Sequence, residues 1–214
     1  MTPLLACTGL AKRFGNAVLF TSLDFSLQGG AVALTAHNGA GKSTLLAILC
    51  GIDAPDRGTV RITGHDLQRQ PIEAKKRMAF VPDEPVAYDF MTGLEYIMMI
   101  FTLYRLSPGS LDRGLLGAFE IEPALHQRFK DMSLGTQRKF MIVAALMCKP
   151  LVLLMDEPTN GLDVNARQAL ADTIRAMGDT ALVFFSTHDE SFIEAAGARV
   201  LPLSLLESGM SPAG

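Results

Sequence analysis

The chain has 214 residues, with 19 basic and 22 acidic side chains and a net charge of -3, so no broad basic field is present to favour nucleic acid. Hydrophobic residues make up 49% and mean hydropathy is +0.25, high for a soluble protein and suited to a partner surface, yet no apolar run reaches the ~20 residues a membrane-spanning helix needs. The length suits one domain with subdomains, and Cys7, Cys50 and Cys148 lack metal-type spacing and read as buried free thiols.

The opening stretch MTPLLACTGLAKRF lacks the basic region and apolar core of a leader peptide, and none is expected. Residues 4–30 alternate weakly and read as short antiparallel strands, clearest at 23–27. Residues 31–35 (AVALT) read as a buried strand, 36–44 (AHNGAGKST) as a glycine-rich loop, and 45–50 as a helix stopped by Gly51. A turn at 53–58 leads to a strand at 59–63, a basic helix at 72–77 and a strand at 78–81 ended by Pro82. From 83 to 149 the pattern is helical. Thr92 with Glu95 forms a capping box that opens a helix over 93–104. Further helices are expected around 112–119 and 123–129, and over 134–147 behind Ser133 as its cap. The apolar strand 151–155 (LVLLM) ends in Asp156-Glu157, and an amphipathic helix at 165–177 precedes a strand at 181–185. Near-continuous apolar strands alternating with helices imply a parallel sheet covered on both faces. Residues 211–214 are expected to be disordered.

A strand, a glycine-rich turn and a helix make the setting of a phosphate-binding loop. Backbone N–H groups of Asn38, Gly39, Ala40, Gly41, Lys42, Ser43 and Thr44 can curl around an anion at the positive end of the helix. Lys42 is placed to reach the β- and γ-phosphates of a nucleotide, and the Ser43 hydroxyl to ligate Mg²⁺. The strict motif opens on Gly, whereas Ala36 stands here; its methyl group is tolerable only if φ is negative. Asp156, at the carboxyl end of its strand, suits Mg²⁺ held through water, and Glu157 suits orienting or deprotonating the attacking water. His188, after the next strand, suits a γ-phosphate contact.

Over nearly its whole length the sequence resembles the ATP-binding subunits of ABC transporters. The resemblance rests on AHNGAGKST as the phosphate loop, on LVLLMDEPTNGLD as the acidic strand with a D-loop ending at Asp163, and on STH as the switch histidine. MSLGTQRK stands in for the family signature LSGGQ, departing at Met132, Leu134 and Thr136. The resemblance implies an α/β P-loop NTPase. Its mainly parallel, RecA-like core would take 31–56 and 150–214, an antiparallel β subdomain 1–30 and 57–81, and an α-helical subdomain 83–149. It implies ATP and Mg²⁺ as ligands, and Phe14 against adenine, a stacking that also admits GTP. It implies a dimer, homo- or hetero-, in which Ser133 and Gly135 meet the γ-phosphate held by the opposite subunit. It also implies a separate membrane-spanning permease, with this chain cytoplasmic and peripheral on the cytoplasmic face of the membrane, most like ABC-2-type exporters, and no nucleic-acid partner. The groove for that permease would be lined by Tyr88, Phe90, Met91, Met98 and Met99. Asp83 stands where the family has a Gln in a coupling loop. A carboxylate ~4 Å from a phosphate charge repels it by about 4 kcal/mol at an effective dielectric of 20, so Asp83 is expected either to ligate Mg²⁺ or to stay clear. Two other readings are a non-transport soluble ABC ATPase and a regulatory nucleotide-binding subunit whose hydrolysis is impaired by Ala36 and Asp83.

Overall fold

The computed structural model describes residues 2–207; the expectation for 211–214 lies outside the described residues. The chain opens with β1 (Leu5–Phe14) and β2 (Ala17–Leu27), antiparallel from Leu5 opposite Leu27 to Phe14 opposite Ala17. β2 turns Phe20, Leu23, Phe25 and Leu27 inward. β4 (Arg57–Ile62) and β5 (His65–Asp66) complete this sheet in the order β2-β1-β4-β5. β5 is missing from the sequence reading, because two residues carry no periodicity. Its signal is the Thr63-Gly64 pair, whose φ values of +48° and +84° make the tight turn of a hairpin.

The second sheet is parallel, in the order β6-β7-β8-β3-β9. Its strands are β3 (Gly30–Thr35), β6 (Met78–Val81), β7 (Val152–Met155), β8 (Leu182–Ser186) and β9 (Arg199–Pro202). The assignment of 57–81 to the antiparallel subdomain is corrected at its end: β6 pairs in parallel with β7, Met78 opposite Val152 and Val81 opposite Met155. A strand apolar on both faces belongs in a sheet covered on both faces. β9 went unread because it is an edge strand with Arg199 and Val200 exposed, and it ends on a proline.

Alternate side chains of the parallel sheet enter two cores. Val32, Leu34, Val152, Leu154, Leu182 and Phe184 pack towards α1 (Lys42–Leu49) and the antiparallel sheet. Ala33, Ala79, Leu153, Met155, Val183 and Phe185 pack with α3 (Gly93–Tyr104), α5 (Leu134–Met147), α6 (Val164–Met177) and α7 (Glu190–Ala196). The shorter helices are α2 (Pro71–Lys75), α4 (Arg113–Ala118) and α8 (Leu203–Glu207).

The capping box is formed: Glu95 N–H donates to Thr92 Oγ1 at 3.2 Å, and Thr92 N–H donates to Glu95 Oε2 at 2.8 Å. The helix expected at 123–129 is absent; only single 3₁₀ turns occur, at Glu122–Ala124 and Phe129–Asp131. The carbonyls of Gln127 and Leu125 instead accept the N–H groups of Gly93 and Leu94 at the start of α3. Those carbonyls satisfy a helix end that a helix of their own would have left bare.

Gly93 is also a packing requirement. A Cβ there would lie 2.3 Å from Phe140 Cζ, and Phe140 is fully buried between α3 and Phe129. Gly93→Ala is expected to destabilise the fold by about 1–3 kcal/mol, the usual range for overpacking. Urea unfolding checks this, and an unchanged midpoint would contradict it.

Candidate functional site

Four neighbouring strands end along one edge of the parallel sheet, where open α/β sheets bind ligands. β6 runs into Asp83, β7 into Asp156 and Glu157, β8 into His188, and β3 into the 36–44 loop. Strand order therefore gathers groups more than a hundred residues apart in sequence. A cavity of about 750 Å³ opens at this edge, lined by Phe14, Asn38, Gly39, Gly41, Lys42, Ser43 and Thr44, with Asp83, Glu157 and His188 from the other strands. That volume suits a small-molecule site. A neighbouring cavity of about 710 Å³ shares Gly39 and His188 and includes Ala40, but excludes Lys42, Ser43 and Glu157.

The loop bends at Gly39 and Gly41, with φ of +80° and +97°, values that a side chain would strain. Gly41 is the N-cap of α1 and supplies no side-chain cap, so the first-turn N–H groups of the helix are left to a ligand. Ala36 has no positive φ, so its methyl group is tolerated. Its carbonyl accepts the Lys42 Nζ proton at 3.0 Å. Lys42 Nζ also lies 2.8 Å from His188 Nε2. An ammonium can only donate, so in this contact the ring nitrogen is the acceptor. His188 Nε2 is in turn 3.6 Å from Glu157 Oε1.

Glu157 sits in a left-handed conformation, φ +43°, which costs a non-glycine residue about 1–3 kcal/mol. Its N–H donates to Ser186 Oγ at 2.9 Å, and the Ser186 hydroxyl donates to Asp156 Oδ1 at 2.5 Å. Ser186, fully buried at the end of β8, thus fixes both carboxylate residues. Burial raises the Glu157 pKa above the ordinary 4.5, against the opposing pull of the His188 and Lys42 positions; Asp156 and Asp83 push it further up.

Among the described residues no group of three or more His, Cys, Asp or Glu is placed to hold a metal ion. One hydroxyl, Ser43, and one buried carboxylate, Asp156, cannot hold Mg²⁺ unaided. They do fit the usual way Mg²⁺ is bound, through one or two protein oxygens together with phosphate oxygens and water.

Phe14 is 53% exposed, so it is not core, and it lines the cavity. Lys12 Nζ lies 4.9 Å from the ring centroid, anchored by Asp53 Oδ1 and the Ala54 carbonyl, each at 2.8 Å. Asp83 lines the cavity too, but its carboxylate has partners that the sequence did not disclose. Oδ1 is 3.3 Å from Arg138 Nη1 and accepts Asn160 Nδ2 at 3.0 Å. Arg138 is 4% exposed and was missed by sequence reasoning. The available signal was a charged pair, Arg138-Lys139, within the otherwise apolar run of α5. A charge placed there must find a partner inside the protein.

Ser133, Gly135 and Asp163 are not drawn into the cavity. Ser133 caps α5, accepting Thr136 N–H at 3.1 Å, and a Cβ on Gly135 would stand 2.5 Å from the Gly161 carbonyl oxygen. Asp163 caps α6 through Ala166 N–H at 2.9 Å and pairs with Lys139 Nζ at 2.6 Å. Tyr88 and Phe90 are exposed and stacked on each other, ring centroids 5.5 Å apart, whereas Met98 and Met99 pack against the core.

A family model described as ABC transporter matches residues 20–160. The linearmycin resistance ATP-binding protein LnrL of Bacillus subtilis is 31% identical over 191 residues, covering 86% of this chain and 61% of LnrL. The SkfA peptide export ATP-binding protein SkfE of the same organism is 31% identical, covering 92% and 84%. The daunorubicin/doxorubicin resistance ATP-binding protein DrrA of Streptomyces peucetius is 30% identical, covering 87% and 58%. The chain thus spans about three-fifths of the length of LnrL and DrrA. A solved structure described as an ATP binding subunit of an ABC transporter superposes with a TM-score of 0.85 at 30% identity, covering 94% of this chain and 85% of that one.

Proposed function

The chain belongs to the ABC transporter family, and on that premise we propose that it is the ATP-hydrolysing motor of an exporter whose membrane-spanning permease is a separate subunit. The observation that carries this reading is the meeting of Lys42, Glu157 and His188, from three separate elements, at one cavity beside a phosphate loop. Adenine lies against Phe14, and the phosphates take the N–H groups from Asn38 to Thr44. Lys42 turns from His188 to the β- and γ-phosphate oxygens. Ser43 and Asp156 would hold Mg²⁺, which when bound would supply charge neutralisation on the phosphates. Glu157 orients a water and accepts its proton as the water oxygen bonds to the γ-phosphorus and the bond to ADP breaks. His188 contacts the γ-phosphate.

A second ABC ATPase subunit completes the site with Ser133 and Gly135, which stand at a helix start away from their own chain's cavity, and with Asp163 beside them. The exposed Tyr88–Phe90 stack offers an apolar contact for the permease, and in this reading the chain works at the cytoplasmic face of a membrane. No described helix is long and apolar enough to cross a membrane. Of the two departures that suggested impaired hydrolysis, Ala36 is unstrained and the charge of Asp83 is paired.

Steady-state ATP turnover against pH tests this reading. A base must be ionised, so turnover rises with pH through the raised Glu157 pKa, and the acidic limb lies above 4.5. Absence of ATP turnover at any pH contradicts the motor reading; a limb at or below 4.5 contradicts the role of Glu157 as base.

A further inference from the structure

We propose that Arg138 is a positioning residue that locks the loop carrying Asp83 to the loop carrying Glu157. The inference deepens the motor reading and rests on it for the kinetic half of its test. The guanidinium leaves α5 and meets two loops at once. On one side it donates to the Asp83 carbonyl oxygen and lies 3.3 Å from the Asp83 carboxylate. On the other, Nη2 donates to the carbonyl oxygens of Asp156 at 2.9 Å and Glu157 at 2.5 Å, and Nε donates to that of Pro158 at 3.3 Å. The planar fork of arginine can serve this many acceptors; a lysine ammonium cannot reach both loops in one geometry.

The consequence concerns Glu157. Its left-handed backbone is held from the N–H side by Ser186 and from the carbonyl side by Arg138. Asn160, three residues on, bonds the same Asp83 oxygen that faces Arg138. A shift of the Asp83 loop therefore pulls on the peptide that aims the Glu157 carboxylate. The Asp83 and Arg138 charges also depend on each other. Losing Asp83 leaves a buried cation short of its partner, and losing Arg138 leaves the Asp83 carboxylate unpaired at the mouth of a site built for phosphate. The third option for Asp83, besides ligating Mg²⁺ or standing clear, is neutralisation within its own chain.

A double-mutant cycle tests the lock with Arg138→Gln, Asp83→Gln and the pair together, and Arg138→Lys as the conservative variant. Each protein is assayed for ATP turnover, for affinity to a non-hydrolysable ATP analogue, for thermal unfolding, and for hydrogen exchange at residues 157–161. Arg138→Gln is expected to lower kcat at least tenfold with analogue affinity within threefold of wild type, and to speed exchange at 157–161. Arg138→Lys is expected not to rescue kcat. The double variant is expected to exceed, by at least tenfold, the kcat given by multiplying the two single effects. Wild-type kcat and exchange in Arg138→Gln, or single effects that multiply in kcat, overturn the proposal. Coupling in unfolding without coupling in kcat also overturns it, since that marks a purely structural pair. If the wild-type protein binds no nucleotide, the motor reading fails on its own, and the lock is then judged by exchange and unfolding: coupled effects support it, independent ones overturn it.

Discussion

Glu157→Gln is expected to lower ATP turnover about 10²–10⁴-fold, the range that removing a general base produces. The substitution keeps shape and removes only the charge and basicity. The backbone contacts that hold residue 157, to Ser186 and Arg138, are indifferent to the side chain, so the turn should persist. Nucleotide affinity is expected to hold or improve, because a carboxylate beside the γ-phosphate is exchanged for a neutral amide. The fold should also hold. The pKa of Glu157 is raised in the folded protein, so the folded state binds more protons than the unfolded chain between 4.5 and the raised value. The ionised carboxylate therefore costs stability that grows as pH rises through that window and is fully present above it. At neutral pH the Gln variant should melt no lower than wild type. A variant that turns over ATP at the wild-type rate would remove Glu157 from the chemistry.

Lys42→Ala is expected to lower ATP affinity by about 10–150-fold, since a hydrogen bond to a charged group contributes about 1.5–3 kcal/mol and 1.4 kcal/mol is tenfold. Lys42 is 7% exposed, and among the described residues its ammonium bonds the Ala36 carbonyl and His188 and no carboxylate. A cation without a carboxylate hydrogen-bond partner, beside uncapped N–H groups, is poised for an anion. The readout is the rise in melting temperature that ATP gives the wild type and should give in smaller measure to the variant at the same concentration. An equal rise in both proteins would place the phosphates elsewhere.

The site was legible wherever chemistry is local. Glycines at 39 and 41, the lysine that follows and the carboxylates ending an apolar strand each declare themselves within a few residues. What the sequence could not show is what strand order creates. That β6 lies beside β7, and so brings Asp83 next to the Glu157 loop, follows from a crossover of some seventy residues. The partners of Arg138 were hidden for the same reason: they lie at 83 and at 156–158, and only the packed fold joins them. The 123–129 stretch failed differently. Its composition allows a helix, but its carbonyls are taken by the start of α3, and tertiary demand overrode local preference. Ser133 and Gly135 were recognised as a motif; within their own chain Ser133 caps α5 and Gly135 makes room for the Gly161 carbonyl, yet neither lines the cavity. Their isolation from the cavity is what a site shared between two chains requires.

The mass of the Glu157→Gln protein in solution, with ATP and Mg²⁺ and again without nucleotide, tests that sharing most directly. The account predicts a monomer alone and twice that mass with ATP, with one nucleotide bound per chain, and it predicts that Ser133→Arg abolishes the pairing while leaving nucleotide on the monomer. A protein that holds ATP tightly yet keeps the monomer mass would contradict it.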